Sequence, residues 1–213
     1  MRTPLAALVL LAASPLPPEP APAQKIADVA PYLMDRAAEV ALARSAAPAH
    51  VSDAATVLAL APNGYVEAAG GTNGFTCLVA RSFAAGLDDP AFWNTRVRAP
   101  HCLNPAAVRT ILPEMRKRAE WVLAGVSRDE IGARTKRAYA SQELPLPGPG
   151  AMAYMLSHQQ HLLDSDPHWM PHLMFYYDPS HPASPWGAAG PTAPVIDGSA
   201  GDPQSPVLVL FVP

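Results

Sequence analysis

Apolar and polar residues recur along this chain with two different periods, and the change of period divides it. Over 25–44 apolar side chains fall at Ile26, Val29, Ala30, Leu33, Met34, Ala37, Val40 and Ala41, with Asp28, Asp35, Arg36 and Glu39 largely off that stripe. Spacings of three and four place residues on one helical face, so the pattern predicts an N-terminal amphipathic helix, interrupted or started late by Pro31. Its polar face lacks the lysine and arginine excess of a helix lying on a membrane surface.

The period then shortens. Residues 55–61, 65–69 and 75–82 are β-prone runs separated by Pro62-Asn63-Gly64 and by Gly70-Gly71-Thr72-Asn73-Gly74. Both separators contain the Asn-Gly pair that favours hairpin turns, which predicts a β-meander. The second, glycine-rich separator lacks the Lys-Ser/Thr ending of a phosphate-binding loop and the spacing of a dinucleotide turn, so it too reads as a hairpin turn.

Residues 92–101 look extended and aromatic. Asn104-Pro105 then sets an N-cap with proline at the first helical position, and 106–124 is helical in pattern, with a break near Pro113 and an end at Gly125. Ser127-Arg128-Asp129-Glu130 is a capping box opening a second helix to about Ala140. After the Pro/Gly-rich stretch 144–150, residues 151–157 and 172–177 read as strands. A last, wholly apolar strand over 207–212 belongs in the middle of a sheet or under a helix. About six strands and three or four helices result, segregated along the chain. The fold class is α+β: a mostly antiparallel sheet with an N-terminal β-meander, on which an N-terminal helix and an αα pair pack.

Composition adds a compartment. The chain opens with Arg2, an apolar run over 5–13 and the small-residue pattern Ala21-Pro22-Ala23, the layout of a secretory signal peptide over 1–23. The run is about half of the roughly 20 residues a spanning helix needs, and no later segment is long and uncharged enough to cross a bilayer. The expectation is a soluble mature protein, periplasmic or extracellular, cleaved near Ala23, with 24–213 forming one domain. Most of the 26 prolines lie in the leader, in 144–150 and over 179–206, which predicts long loops on a compact centre.

A formal charge of −3 gives no general affinity for nucleic acid. Phe92 and Trp93 lie near Arg96 and Arg98, but burial under a sheet is the commoner fate of such aromatics. The αα pair carries Arg109, Arg116, Lys117, Arg118, Arg128, Arg134, Lys136 and Arg137; interleaved acids make this read as a solvated helical face.

Cys77 and Cys102 are the whole cysteine complement. In an exported protein they read as a disulfide closing a loop of roughly 25 residues, worth about 3 kcal/mol. A Cys102 nucleophile activated by His101 is the alternative, but neighbours on an extended chain point to opposite faces.

The remaining chemistry concentrates in "SHQQHLLDSDPHWMPHLMFYYD", which holds four of the seven histidines. Ser157 and Gln160 fit a capping box, predicting a short helix over 158–163 with His158 and His161 on one face. His168 and His172 have the spacing of a helical zinc motif, which Pro167 and Pro171 exclude. If His172 heads a strand, it shares a face with Met174 and Tyr176. The candidate metal ligands are therefore His158, His161 and His172. Thioethers from Met152, Met155 and Met170 would suit copper, while Asp164, Asp166 or Asp178 would suit zinc. Against this stands a plain packed turn, with methionines filling core gaps and His172 buried on a backbone hydrogen bond.

No G-x-S-x-G, S-x-x-K or H-E-x-x-H is present. Three functions follow: a protein binding a metal or small ligand at the 158–172 connection, a secreted hydrolase using His158, His161 or His172 as base, or a structural protein whose proline-rich tail meets a partner.

The stretches "GTNGFTCLVARSF", "RAPHCLNPAAVR" and "GAMAYMLSHQQHL" with "WMPHLMFYY" resemble a family of uncharacterised exported bacterial proteins over most of the mature chain. The resemblance implies one intact exported domain and attaches no activity to any residue.

Overall fold

The computed structural model describes residues 28–165, 170–178, 180, 195–197 and 207–212. The leader expected over 1–23, His168, His181 and most of the proline-rich stretch 179–206 lie outside them.

The N-terminal stripe folds in two steps. A 3-10 turn at Ala30–Tyr32 contains Pro31, and helix α1, Arg36–Arg44, starts only after it. Asp35 caps α1 by accepting from the Ala38 amide at 2.9 Å, satisfying one of the donors a helix start leaves open. A short helix α2, Ala49–Ser52, follows Pro48.

Eight strands are seen among the described residues: β1 Thr56–Ala61, β2 Gly64–Ala69, β3 Thr76–Ala80, β4 Ala99–Leu103, β5 Met152–Met155, β6 His172–Tyr176, β7 Val195–Asp197 and β8 Val207–Phe211. They form one sheet in the order β2-β1-β3-β4-β5-β6-β8-β7. Every neighbouring pair is antiparallel except β1 and β3.

That exception corrects the expected β-meander. Pro62-Asn63 does make the β1–β2 hairpin turn, closed by the pairing of Ala61 with Gly64, which takes φ 130°. The second glycine-rich separator is a crossover instead of a hairpin turn: it carries the chain past the start of β1, so that β3 pairs with β1 in parallel. Gly71 sits so close to β1 that an added Cβ would lie 2.1 Å from the Thr56 amide nitrogen, and the Thr72 amide donates to Ala54 O at 2.8 Å. Burial explains the choice. The inner positions of β1 and every position of β3 are buried, whereas β2 exposes Val66 and Glu67, and a strand buried on both faces belongs inside a sheet. The outer edge of β2 is capped: Arg36 donates to Glu67 O at 2.9 Å and Arg116 to Tyr65 O at 3.3 Å, which occupies acceptors a foreign strand would use.

Beyond Leu58 and Leu78 the parallel pairing of β1 and β3 stops. Polar side chains fill the split. Glu39 of α1 accepts from the Leu60 amide at 3.1 Å, Tyr65 Oη donates to Val79 O at 2.9 Å, and buried Arg81 donates to Tyr32 O, Val79 O and Glu39 Oε1.

The helical region follows its sequence signals closely. Asn104 caps α3, Pro105–Thr110, through the Ala107 amide; α4 runs Leu112–Leu123 after a break at Ile111; Gly125 takes φ 78° behind it. Ser127 caps α5, Arg128–Ala140. These helices cover one face of the sheet, where Leu58, Leu78 and Leu103 meet Ile111, Leu112 and Val122. On the other face α1 and α2 bring Leu42, Ala43 and Val51 onto Val57, Cys77, Val79 and Cys102. The two cysteines are register partners across β3 and β4, at a disulfide distance of 2.03 Å. No helix among the described residues is long and apolar enough to cross a membrane.

Two further expectations are corrected. Residues 158–163 form a turn, not a helix. The Ser157 hydroxyl accepts from the Gln159 amide and bonds the Ser45 hydroxyl, while the Gln160 side chain donates to Met170 O, so the capping box never closes. The αα pair is also not wholly solvated on its basic side: Arg118 is buried against Glu114.

Candidate ligand cavity

Strand alternation sets the floor of the site. On β4, His101 and Leu103 face the α3–α4 side while Cys102 faces α1, and on β6 His172, Met174 and Tyr176 take the α4 side. Register then builds rows. Leu103, Ala153, Met174 and Val209 lie side by side across β4, β5, β6 and β8. One step along, Met155 pairs with His172 and His172 with Phe211, and His101 falls beside Met155.

Above this floor is a cavity of about 340 Å³, walled by α4 through Glu114, Met115 and Arg118, by the segment from Arg81 to Ala91, and by Leu162 and Leu163 of the 158–172 connection. It is mostly apolar, and its volume lies in the range of small-molecule sites.

The two histidines of the floor are held alike. Nδ1 of His101 is 2.8 Å from Ala99 O, and Nδ1 of His172 is 2.9 Å from Met170 O. A carbonyl only accepts, so each Nδ1 carries the proton and each neutral ring has its lone pair on Nε2. Burial holds the His101 imidazolium down to about pKa 4, with the Ala99 bond opposing and nearby His172 adding to the effect. Burial depresses His172 as well. Both rings are therefore neutral bases at pH 7.

At the other end of the floor stands Tyr176, whose hydroxyl has Met174 Sδ at 3.9 Å. Burial, reinforced by the Glu114 charge, pushes its phenol well above the usual tyrosine value, so it stays a donor. Glu114 itself binds Arg118 through Oε1 and accepts from Tyr139 Oη at 2.6 Å through Oε2; Arg118 also donates to Ala85 O at 2.8 Å.

The histidine-rich segment is spread across these surroundings. His172 reaches the cavity from β6. His158 is exposed on the turn, and His161 bonds Asp164 at 3.0 Å, where Asn94 and Arg96 also converge. Those three donors, His161 first, hold the Asp164 carboxyl below its ordinary range. No group of three histidine, cysteine, aspartate or glutamate side chains converges as a metal site among the described residues. Ser157 is buried and engaged with Ser45, and no serine hydroxyl is hydrogen-bonded to a histidine in the bonds described. Phe92 is fully buried edge-on to Trp93 at 4.7 Å, which makes it a core residue.

The sequence pattern offers His101 only as an activator of Cys102, Tyr176 only as sharing a strand face with His172, and Glu114 and Arg118 only as part of a solvated helical face; the fold brings all four to the cavity. The alternation His101-Cys102-Leu103 carried the signal for His101: a ring on the face opposite the cysteine and shared with a core leucine. No protein-family model, curated protein or solved structure matches the chain.

Proposed function

We propose that this is an exported binding protein that holds a small, largely apolar ligand in the cavity between the sheet and α4. The observation that carries the reading is the cavity itself: about 340 Å³ of mostly apolar space with neutral His101 in its floor. A sealed core would be packed to crystal-like density, with few voids larger than a water molecule, and about ten water-sized groups fit here. The leader-like N-terminus and the Cys77–Cys102 pair support an oxidising compartment outside the cytoplasm.

The test is calorimetric titration of the purified mature protein with 4-ethylphenol, a probe of suitable size. One saturable site is expected, lost in Ala99→Leu, which fills the cavity floor. Binding that survives Ala99→Leu undiminished sinks the assignment to this cavity. Elemental analysis for zinc and copper on protein purified without chelator separates an organic ligand from a bound metal. Masses of the exported protein with and without reductant test both cleavage near Ala23 and the disulfide.

A further inference from the structure

We infer that the ligand is an uncharged alcohol or phenol, elongated and otherwise apolar, that enters donor-first and gives its O–H hydrogen to His101 Nε2. The inference rests on the binding role proposed for the cavity and specifies what the cavity selects. Three observations lead to it, and each concerns a different part of the floor.

The first is the fixed tautomer at one end. Ala99 O engages Nδ1 of His101 at 2.8 Å, so the opposite ring nitrogen is an acceptor and cannot donate while the ring is neutral. Among the described residues no side chain competes for that nitrogen. A ligand hydroxyl meets an acceptor there. A carboxylate meets a lone pair and is repelled.

The second is the middle of the cavity. Met155 and Met174 in the floor and Met115 in the wall pack around it with Leu162. Thioethers are polarisable and adaptable, suited to an alkyl or aromatic body without polar substituents.

The third is the far end. Tyr176 lies four residues beyond His172 on the same strand face, about 14 Å away at roughly 3.4 Å per residue. Among the described residues its hydroxyl donates to a weak thioether acceptor, Met174 Sδ. Glu114 stands close enough for its charge to raise the Tyr176 phenol. The guanidinium groups that also line the cavity are already engaged, Arg118 by Glu114 and Arg81 by Glu39, and a neutral acceptor such as an ether or ester oxygen finds a donor in the Tyr176 hydroxyl. A molecule with a hydroxyl at one end and at most a neutral oxygen at the other satisfies both.

Three probes sharing the 4-ethylphenyl body decide it by calorimetry on the wild-type protein: 4-ethylphenol, 4-ethylanisole, which cannot donate, and 4-ethylbenzoate. The phenol is expected to bind about tenfold more tightly than the anisole, the worth of one buried hydrogen bond, and the benzoate to bind more weakly than either. His101→Leu is expected to bring the phenol down to the anisole value and leave the anisole unchanged. Equal affinities for phenol and anisole, or tighter binding of the benzoate, overturn the inference while the cavity reading stands. Binding of none of the three removes the cavity reading and the inference together. The phenol–anisole comparison needs no variant, so a misfolded His101→Leu does not protect the inference.

Discussion

Glu39–Arg81 and Glu114–Arg118 are both carboxylate–guanidinium pairs removed from solvent, yet they are assembled differently. Glu39 and Arg81 are 42 residues apart and come from α1 and the end of β3. Arg81 also donates to Tyr32 O and Val79 O, so the pair replaces strand pairing where β1 and β3 separate. Glu114 and Arg118 are one helical turn apart on α4, and their other partners, Tyr139 and Ala85, come from α5 and the segment after β3. The first pair holds elements together. The second is local to one helix and becomes a wall of the cavity. Range in sequence, more than the chemistry of the two side chains, separates a stitch from a site.

Breaking the long-range pair gives the largest expected effect. Arg81→Ala leaves the Glu39 carboxylate buried without its cation and should cost about 3–5 kcal/mol in urea unfolding; a loss below about 1 kcal/mol would show that the split between β1 and β3 closes without it. Glu114→Gln should cost less, about 1–3 kcal/mol, because Arg118 keeps Ala85 O and the amide oxygen still accepts from Tyr139. If the two losses come out equal, the contrast between the pairs fails.

Acid sharpens the comparison further, since it acts on the cavity side. Folded His101 titrates near 4 against an ordinary 6.5, so between these values the unfolded chain takes up a proton that the folded ring refuses. Stability is complete above pH 6.5 and falls as the pH drops toward 4. A decrease of about 1 kcal/mol is expected between pH 7.5 and 5.5, and His172, depressed in the same direction, adds to it. His101→Leu should flatten that slope; an unchanged slope would place the acid sensitivity elsewhere.

The exposed arginines give the smallest effect. Arg36→Ala with Arg116→Ala should change stability by less than about 1 kcal/mol but uncover acceptors of β2, and sedimentation should then show self-association. A strictly unchanged sedimentation profile would mean that the caps do not protect the edge.

Much of this architecture is written locally. Asn104, Pro105, Gly125 and Ser127 mark helix ends because capping involves only a few consecutive residues, and all four do so here. The α+β class follows from the order of the runs. What stayed hidden depends on partners far along the chain. Asn63-Gly64 and Asn73-Gly74 look alike in sequence, yet only the first closes a hairpin, because the inner positions of β1 are buried and the crossover is needed to put β3 beside it. Arg118 carries the same spacing signal as its solvent-facing neighbours, and only the docking of α5 and the segment near Ala85 covers it. The density of histidines over 158–172 points to a connection that contributes Leu162, Leu163 and His172 to the lining of the cavity. The turn scatters His158 and His161, while His101, isolated in sequence, arrives in the cavity through register alone.

The position of Cys77 and Cys102 also orders the protein's maturation in time. Neither side chain retains any exposure, and Leu42, Ala43 and Ala46 belong to the cluster that encloses them. An oxidant can therefore reach the thiols only while α1 is still undocked from β3 and β4. A chain whose helix seals first would carry its two thiols into a compartment no catalyst can enter, and only unfolding would give it a second chance.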